Sequence, residues 1–282
     1  MSSPPLKSIH TYKRTNNIAH LRVESKETNT PYIIMKTVNE TLLNRRSIRR
    51  YEREPITPQQ LDFIYEAIRN TPTSYNGQQF SVIDISDQQL KEQLYALTNQ
   101  KQIKTCSHFL LFCADFHKIS VGAEAKGIDM PQFTHTADGL IVGTVDAALA
   151  MMSALVAAES MGLGTCCIGY ARTAAPEEIA ALLQLPPRTY AVCGLAIGVP
   201  REMPDLKPKQ PVGLIIHQNR YTDQGLKEAV LKYDTDITRY NATRSGTKSD
   251  NDWVDHIIGY YREAMNYHML QALRSQDFDT KR

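Results

Sequence analysis

Residues 139–169 read GLIVGTVDAALAMMSALVAAESMGLGTCCIG, and this stretch decides the fold. The part up to Met161 reaches the length of a membrane span, yet Asp146 falls inside it and Ala, Ser and Thr abound. That composition predicts a helix buried against other helices and suits a dimer contact. Gly162 then ends the helix in the left-handed conformation, and residues 165–168 form a short strand. The glycines at 162, 164 and 169 superficially resemble a dinucleotide fingerprint. Their spacing is wrong, and a helix enters a strand where the fingerprint needs a strand entering a helix. A Rossmann unit is excluded.

Working outward, Pro176 opens a helix and residues 190–198, YAVCGLAIG, form a strongly β run. Residues 212–217 read as a further strand, and helices follow over about 225–241 and 252–274. Upstream, Thr37-Val-Asn-Glu40 is a capping box for a short helix ending near Arg45. Thr57-Pro-Gln-Gln60 is a second box, with Pro58 at the first helical position and Leu61, Ile64 and Ile68 on one face to about Asn70. A loop, TPTSYNGQQ, leads to a strand over 80–85. Leu90, Leu94 and Leu97 mark a helix, and residues 109–114, FLLFCA, a buried strand. More than twenty residues then precede the Ala-rich helix, which predicts a lid or substrate loop. Helices and strands mix without regular alternation, so the fold class is α+β with one sheet and one domain over 35–282.

The chain has 282 residues, 42% hydrophobic, with 32 Lys+Arg against 30 Asp+Glu. A formal charge of +2 calls for neither nucleic acid nor an anionic membrane as main partner. Cys106, Cys113, Cys166, Cys167 and Cys193 are odd in number and form no C-x-x-C pair. They argue against a disulfide framework and for a reducing, cytoplasmic setting. Adjacent Cys166 and Cys167 bridge only with strained geometry. Residues 1–34 are polar, aperiodic and without the apolar core of a signal peptide. They are expected to be a disordered N-terminal extension, with Met35 as an alternative start.

The histidines show no metal-ligand spacing, and no nucleophile elbow or P-loop occurs, so no metal is expected. The concentrated chemistry is Arg45-Arg46-Ser47-Ile48-Arg49-Arg50-Tyr51, four arginines in six residues at a helix-to-extended junction. Planar guanidinium forks bind phosphate bidentately, and Ser adds a hydroxyl donor. From composition alone the stretch reads first as a solvated basic turn or weak nucleic-acid patch, and a non-enzymatic loop binding nucleic acid or a protein partner stays open beside a phosphate site. Lys207-Pro208-Lys209 is a second cationic site, and the two together suit one phosphorylated cofactor.

These segments resemble the FMN-dependent nitroreductase family, in its oxygen-insensitive NADPH nitroreductase and flavin reductase branch. Arg45-Arg46-Ser47-Ile48-Arg49 matches the family's opening motif, followed by Glu54-Pro55-Ile56. Thr71-Pro-Thr-Ser-Tyr-Asn-Gly-Gln78, Phe112-Cys-Ala-Asp-Phe116, Gly162-Leu-Gly164 with Ile168-Gly169, and Pro204-Asp-Leu-Lys-Pro-Lys209 continue it in order. The resemblance spans about residues 36–275.

The resemblance implies a nitroreductase-like α+β fold, with a central, mostly antiparallel sheet flanked by helices, in an intertwined homodimer with FMN at the interface. It implies that Arg45, Arg46 and Ser47 hold the FMN phosphate with Lys209, and that Arg49 and Lys207 lie near the flavin N1–C2 edge. A cation there favours the reduced flavin. It brings Thr73, Ser74 and Asn76 from the other subunit, Gln100 to the ring or ribityl chain, and Ile168 and Gly169 to the isoalloxazine through backbone groups. Arg244 and Lys248 are expected to take the 2′-phosphate of NADPH, with Ser249 where relatives carry a second arginine. No side chain is expected to be catalytic, because flavin N5 carries the hydride. The implied activity is two-electron, ping-pong reduction of nitroaromatics, quinones or flavins by NADPH or NADH; the alternative is an NADPH:FMN reductase supplying free reduced flavin.

Overall fold

A computed structural model of the chain describes residues 35–279. The extension expected over 1–34 lies outside the described residues. Both capping boxes form. In α1 (Val38–Asn44) the Glu40 N–H donates to Thr37 Oγ1 at 3.2 Å, and the Glu40 carboxylate accepts from the Thr37 N–H at 2.9 Å. In α2 (Pro58–Arg69) the reciprocal pair joins Thr57 and Gln60 at 3.3 and 3.0 Å. Among the described residues there are four strands: β1 (Phe80–Ile85), β2 (His108–Asp115), β3 (Gly164–Ile168) and β4 (Thr189–Gly198). They form one sheet in the order β1-β2-β4-β3, with every neighbouring pair antiparallel.

The sheet is buried on both faces. Leu110, Phe112 and Ala114 of β2 pack with Leu195 and Ile197 of β4 beneath α6 (Ala137–Ser160). Phe109, Leu111 and Cys113 point the other way. They meet Leu94 of α3 (Gln88–Thr98), Ile103 of α4 (Lys101–Thr105) and Ile179 of α7 (Pro176–Leu182). Burying each such Leu, Ile or Phe contributes about 1.5–3 kcal/mol. α6 lays Val142, Ala147, Ala150, Ala154 and Ala158 on the sheet; small side chains let a helix approach it closely. Its opposite stripe, Ile141, Val145, Leu149 and Met152, is exposed. Gly162 ends the helix at φ +83, the left-handed turn expected of it.

Three expectations are corrected. Residues 212–217 do not form a strand: α8 (Val212–Ile215) is a single helical turn after Pro211, and no strand pairs with it. The long loop after β2 holds a helix, α5 (His117–Ala125), and a 3-10 turn, Phe133–His135. Asp115 starts that helix by accepting from the N–H groups of His117 at 2.8 Å and Lys118 at 3.3 Å. After α9 (Leu226–Thr243), the helix expected over 252–274 is broken into α10 (Trp253–Ala264) and α11 (Met269–Ser275).

Candidate cofactor site

Beyond α1 the basic segment runs extended along the open edge of β3. Ser47 forms a parallel bridge with Thr165, and the Ile48 N–H donates to the Thr165 carbonyl at 2.8 Å. Ile48 is buried against Gly164, where a Cβ would meet its side chain at 2.9 Å. Tyr51 ends the segment, its hydroxyl donating to the carbonyls of Ile48 at 2.7 Å and Ala196 at 3.2 Å. Glu202 accepts from the Arg49 N–H at 2.7 Å and stands 3.7 Å from Arg50 Nε. These bonds fix the backbone and leave the guanidinium heads available.

Under this segment, near the end of α6, sits Glu159, 6% exposed. Its Oε1 accepts from the Thr165 hydroxyl at 2.5 Å and lies 3.8 Å from Arg45 Nε. Burial pushes its carboxyl pKa up, against the hydroxyl of Thr165 and the charges of Arg45, Lys36 and Arg46. The Nε atoms of Arg45 and Arg46 are both buried without a hydrogen-bond partner. Buried cationic donors without a hydrogen bond are costly, and an anion that reached them would complete them.

A second wall comes from the C-terminal half. Tyr240 and Tyr233 of α9 donate to the carbonyls of Asp205 at 3.2 Å and Pro208 at 3.3 Å, and so hold the segment carrying Lys207 and Lys209. The Ser245 N–H donates to Asp205 Oδ2 at 2.6 Å, and Arg244 Nε to the Thr247 carbonyl at 2.5 Å. Lys207 has its pKa lowered first by burial, then by Arg244, Lys209 and Arg49. Arg46 in turn helps to lower the Asp205 carboxyl, after the backbone and side-chain bonds from Ser245. The fold thus gathers Arg45, Arg46, Arg49, Lys207, Lys209 and Arg244 into one cationic region. Ile168 and Gly169 lie at the end of the same strand as Thr165. Lys248 is exposed on the turn after Arg244.

Thr73, Ser74 and Asn76 are not part of that region in their own chain. Their loop hangs from Asp146 of α6, whose two carboxylate oxygens accept from the N–H groups of Ser74 at 3.0 Å and Gln79 at 3.3 Å. Asp146 and Glu159 are thirteen residues apart on one helix, about 20 Å at 1.5 Å per residue. Gln100 caps α4 and accepts from Gln102 Nε2 at 2.9 Å; no bond ties it to the cationic region. Cys166 is buried and Cys167 exposed, on opposite faces of β3, and burial raises the Cys166 thiol pKa. Among the described residues no group of three His, Cys, Asp or Glu is arranged to hold a metal. Sequence reasoning missed Glu159, Glu202 and Asp205 as partners of the basic groups, and saw Asp146 only as a charge in an apolar helix.

A sheet edge carries a basic extended segment, and α9 holds a second cationic segment, 207–209, near it. The chain belongs to the nitroreductase family: the family's model matches residues 42–199 and that of its C-terminal domain residues 207–281. It is 36% identical over 250 residues to an FMN reductase (NAD(P)H) of Bacillus subtilis, covering 88% of this chain and 100% of that one. An oxygen-insensitive NADPH nitroreductase of Salmonella typhimurium is also 36% identical over 250 residues, with the same 88% and 100% coverage. Among solved structures, that of Bacillus megaterium NfrA2 superposes with a TM-score of 0.83 at 32% identity, over 88% of this chain and 100% of that one. The NADPH:FMN oxidoreductase from Vibrio harveyi complexed with NAD+ gives 0.76 at 28% identity, over 87% and 99%. The expected α+β, nitroreductase-like fold is therefore found, with a sheet antiparallel throughout.

Proposed function

We propose that this chain is an FMN-dependent NAD(P)H oxidoreductase that reduces nitroaromatics, quinones or flavins in a two-electron ping-pong cycle, residues 35–282 acting as one FMN-binding domain. The carrying observation is the pair of orphaned, buried guanidinium Nε atoms of Arg45 and Arg46 inside a cationic region. Their chemistry fits a phosphate monoester, and relatives named as FMN reductases and nitroreductases support the same assignment.

FMN, when bound, supplies hydride transfer between a nicotinamide and a two-electron acceptor. In this reading Arg45, Arg46 and Ser47 hold its phosphate with Lys209, which contributes a point charge and no fork. Arg49 and Lys207 provide positive charge at the ring edge, and the mutual repulsion already acting on Lys207 is relieved when negative charge enters. Ile168 and Gly169 line the ring through backbone groups, and Gln100 belongs to the ring or ribityl side. Arg244 and Lys248 take the 2′-phosphate of NADPH, with NADH as the competing co-substrate.

The protein works as a homodimer in this reading. The 20 Å along α6 between the Ser74 anchor and the Arg45 anchor supports it: Thr73, Ser74 and Asn76 serve the partner's cofactor. The free cysteines suit the cytoplasm, and small-molecule acceptors, not nucleic acid or membrane, are the partners.

The visible spectrum of the purified protein tests the proposal. Flavin bands bleached anaerobically by NADPH, and more slowly by NADH, are expected; a colourless protein that takes up no FMN refutes it. Comparing turnover of a nitroaromatic with that of added free FMN separates the nitroreductase from the flavin reductase.

A further inference from the structure

Two carboxylates inside α6 stand out because neither is solvated. Asp146 is fully buried and Glu159 is 6% exposed, in a helix whose one other charged residue is Asp138 in the first turn. A buried charge persists where bonds to it hold something in place.

Each acid grips a different half of the proposed cofactor site. Glu159 accepts from Thr165, whose own carbonyl accepts from Ile48 and whose backbone bridges Ser47. The same carboxylate oxygen faces Arg45 Nε at 3.8 Å. One group thereby sets the strand edge, the basic segment and the first arginine together. Asp146 brackets the other half. Its two amide donors, Ser74 and Gln79, flank Tyr75, Asn76 and Gln78, which have φ of 57°, 53° and 52°. Left-handed backbone at Tyr and Gln is disfavoured, so this loop keeps its shape only while something over-determines it. The Gln78 N–H donates to Thr73 Oγ1 at 3.1 Å within the same loop.

We propose that Asp146 and Glu159 are the positioning residues of the two cofactor half-sites: Glu159 shapes the phosphate-binding half of its own chain, and Asp146 shapes the loop lent to the partner. The inference rests on the proposed FMN function and dimer, and it gives α6 a definite task as the strut carrying one anchor for each of two sites. Neither acid touches the cofactor. Both act through the groups they hold.

Mixed dimers test this. Asp146→Ala and Glu159→Ala homodimers are each expected to lose FMN affinity about tenfold or more, the scale of losing a hydrogen-bonded charge. Affinity is read from the quenching of FMN fluorescence on titration with apoprotein. Co-expressing the two variants with different tags and purifying through both gives a dimer of one Asp146→Ala and one Glu159→Ala chain. In that dimer one site has an intact Glu159 below and an intact Asp146 loop above, while the other has both defects. One site of wild-type affinity per mixed dimer is therefore expected, which a merely destabilising role would not produce. The isosteric Asp146→Asn and Glu159→Gln replace any alanine variant that fails to fold and should show the same pattern. Folded variants that bind FMN like wild type, or mixed dimers that recover no site, overturn the inference alone. A wild-type protein that binds no FMN overturns the functional reading and the inference with it.

Discussion

Burial raises the Glu159 carboxyl pKa more than Thr165, Arg45, Lys36 and Arg46 lower it. A carboxyl whose folded pKa lies above its unfolded value, about 4.3, favours folding fully below that value and loses the benefit as pH rises through the folded pKa. Above the folded value Glu159 is thus a cost to the apoprotein, and Glu159→Gln, a stand-in for the protonated form, removes it. The variant apoprotein is expected to melt above wild type at pH 7, with the difference vanishing toward pH 4. Thermal melts across that range check this, and a variant that melts lower at pH 7 contradicts it. Gain in stability with loss of FMN affinity is the signature of a residue kept for its site. The four arginines in six residues stand out in the sequence, but composition alone also fits a solvated basic turn, and only the family resemblance gives them a phosphate to hold. The acids do not stand out. Glu159 looks like an ordinary polar residue near a helix end, and only the return of β3 beside the basic segment puts Thr165 and Arg45 around it.

Among the elements, the end of the chain is held more firmly than a short terminal helix suggests. Beyond α11, Phe278 is fully buried between Phe116 and Tyr190, with ring centroids at 6.0 and 4.7 Å. Asp277 accepts from His135 Nε2 at 2.7 Å and Arg188 Nε at 2.8 Å, so the tail is tied to the segment before α6 and to the start of β4. Burial alone would raise the Asp277 carboxyl, but the bonds and charges of Arg188 and His135 outweigh it and hold it low. Such a depressed group stabilises above its unfolded pKa, about 3.9, and the benefit goes as pH falls through the folded value. Phe278→Ala empties a packed aromatic site and is expected to cost about 3–5 kcal/mol, seen as a lower urea midpoint. A change under about 1 kcal/mol would mean that the site collapses around the gap. Elements with a local cause were legible: the two capping boxes, the apolar strands and α6. Those set by tertiary context were not. α5 begins because Asp115, at the end of a strand, receives its first amides, a function no helical periodicity announces. The apolar run at 212–217 carries a strand's composition, yet its first four residues wind into a helical turn after Pro211 and it joins no strand of the sheet.

For the whole molecule, α6 is where the proposed dimer is most open to test. Its inner face is spent on the sheet, while Ile141, Val145, Leu149 and Met152 form an aliphatic stripe left exposed at intervals of four, four and three residues. Such a stripe on one helix face is what a second helix covers. Asp146 is buried on α6 next in the chain to Val145 of the stripe, and the loop it holds is also tied to α6 by the Thr71 hydroxyl, which donates to Ser153 Oγ at 2.9 Å. A second copy docked there would carry its own loop toward this chain, and this chain's loop toward the second copy's cations. Leu149→Glu places a charge in the centre of that contact, where burying it unpaired costs several kcal/mol. On the proposed dimer, the variant is expected to be monomeric by light scattering and to lose its flavin absorbance per chain, because each proposed phosphate site would then lack the loop from a second copy. A monomer that retains a full complement of FMN would show that the Thr73–Asn76 loop is not lent across the dimer. A variant that stays dimeric would move the interface off α6 altogether.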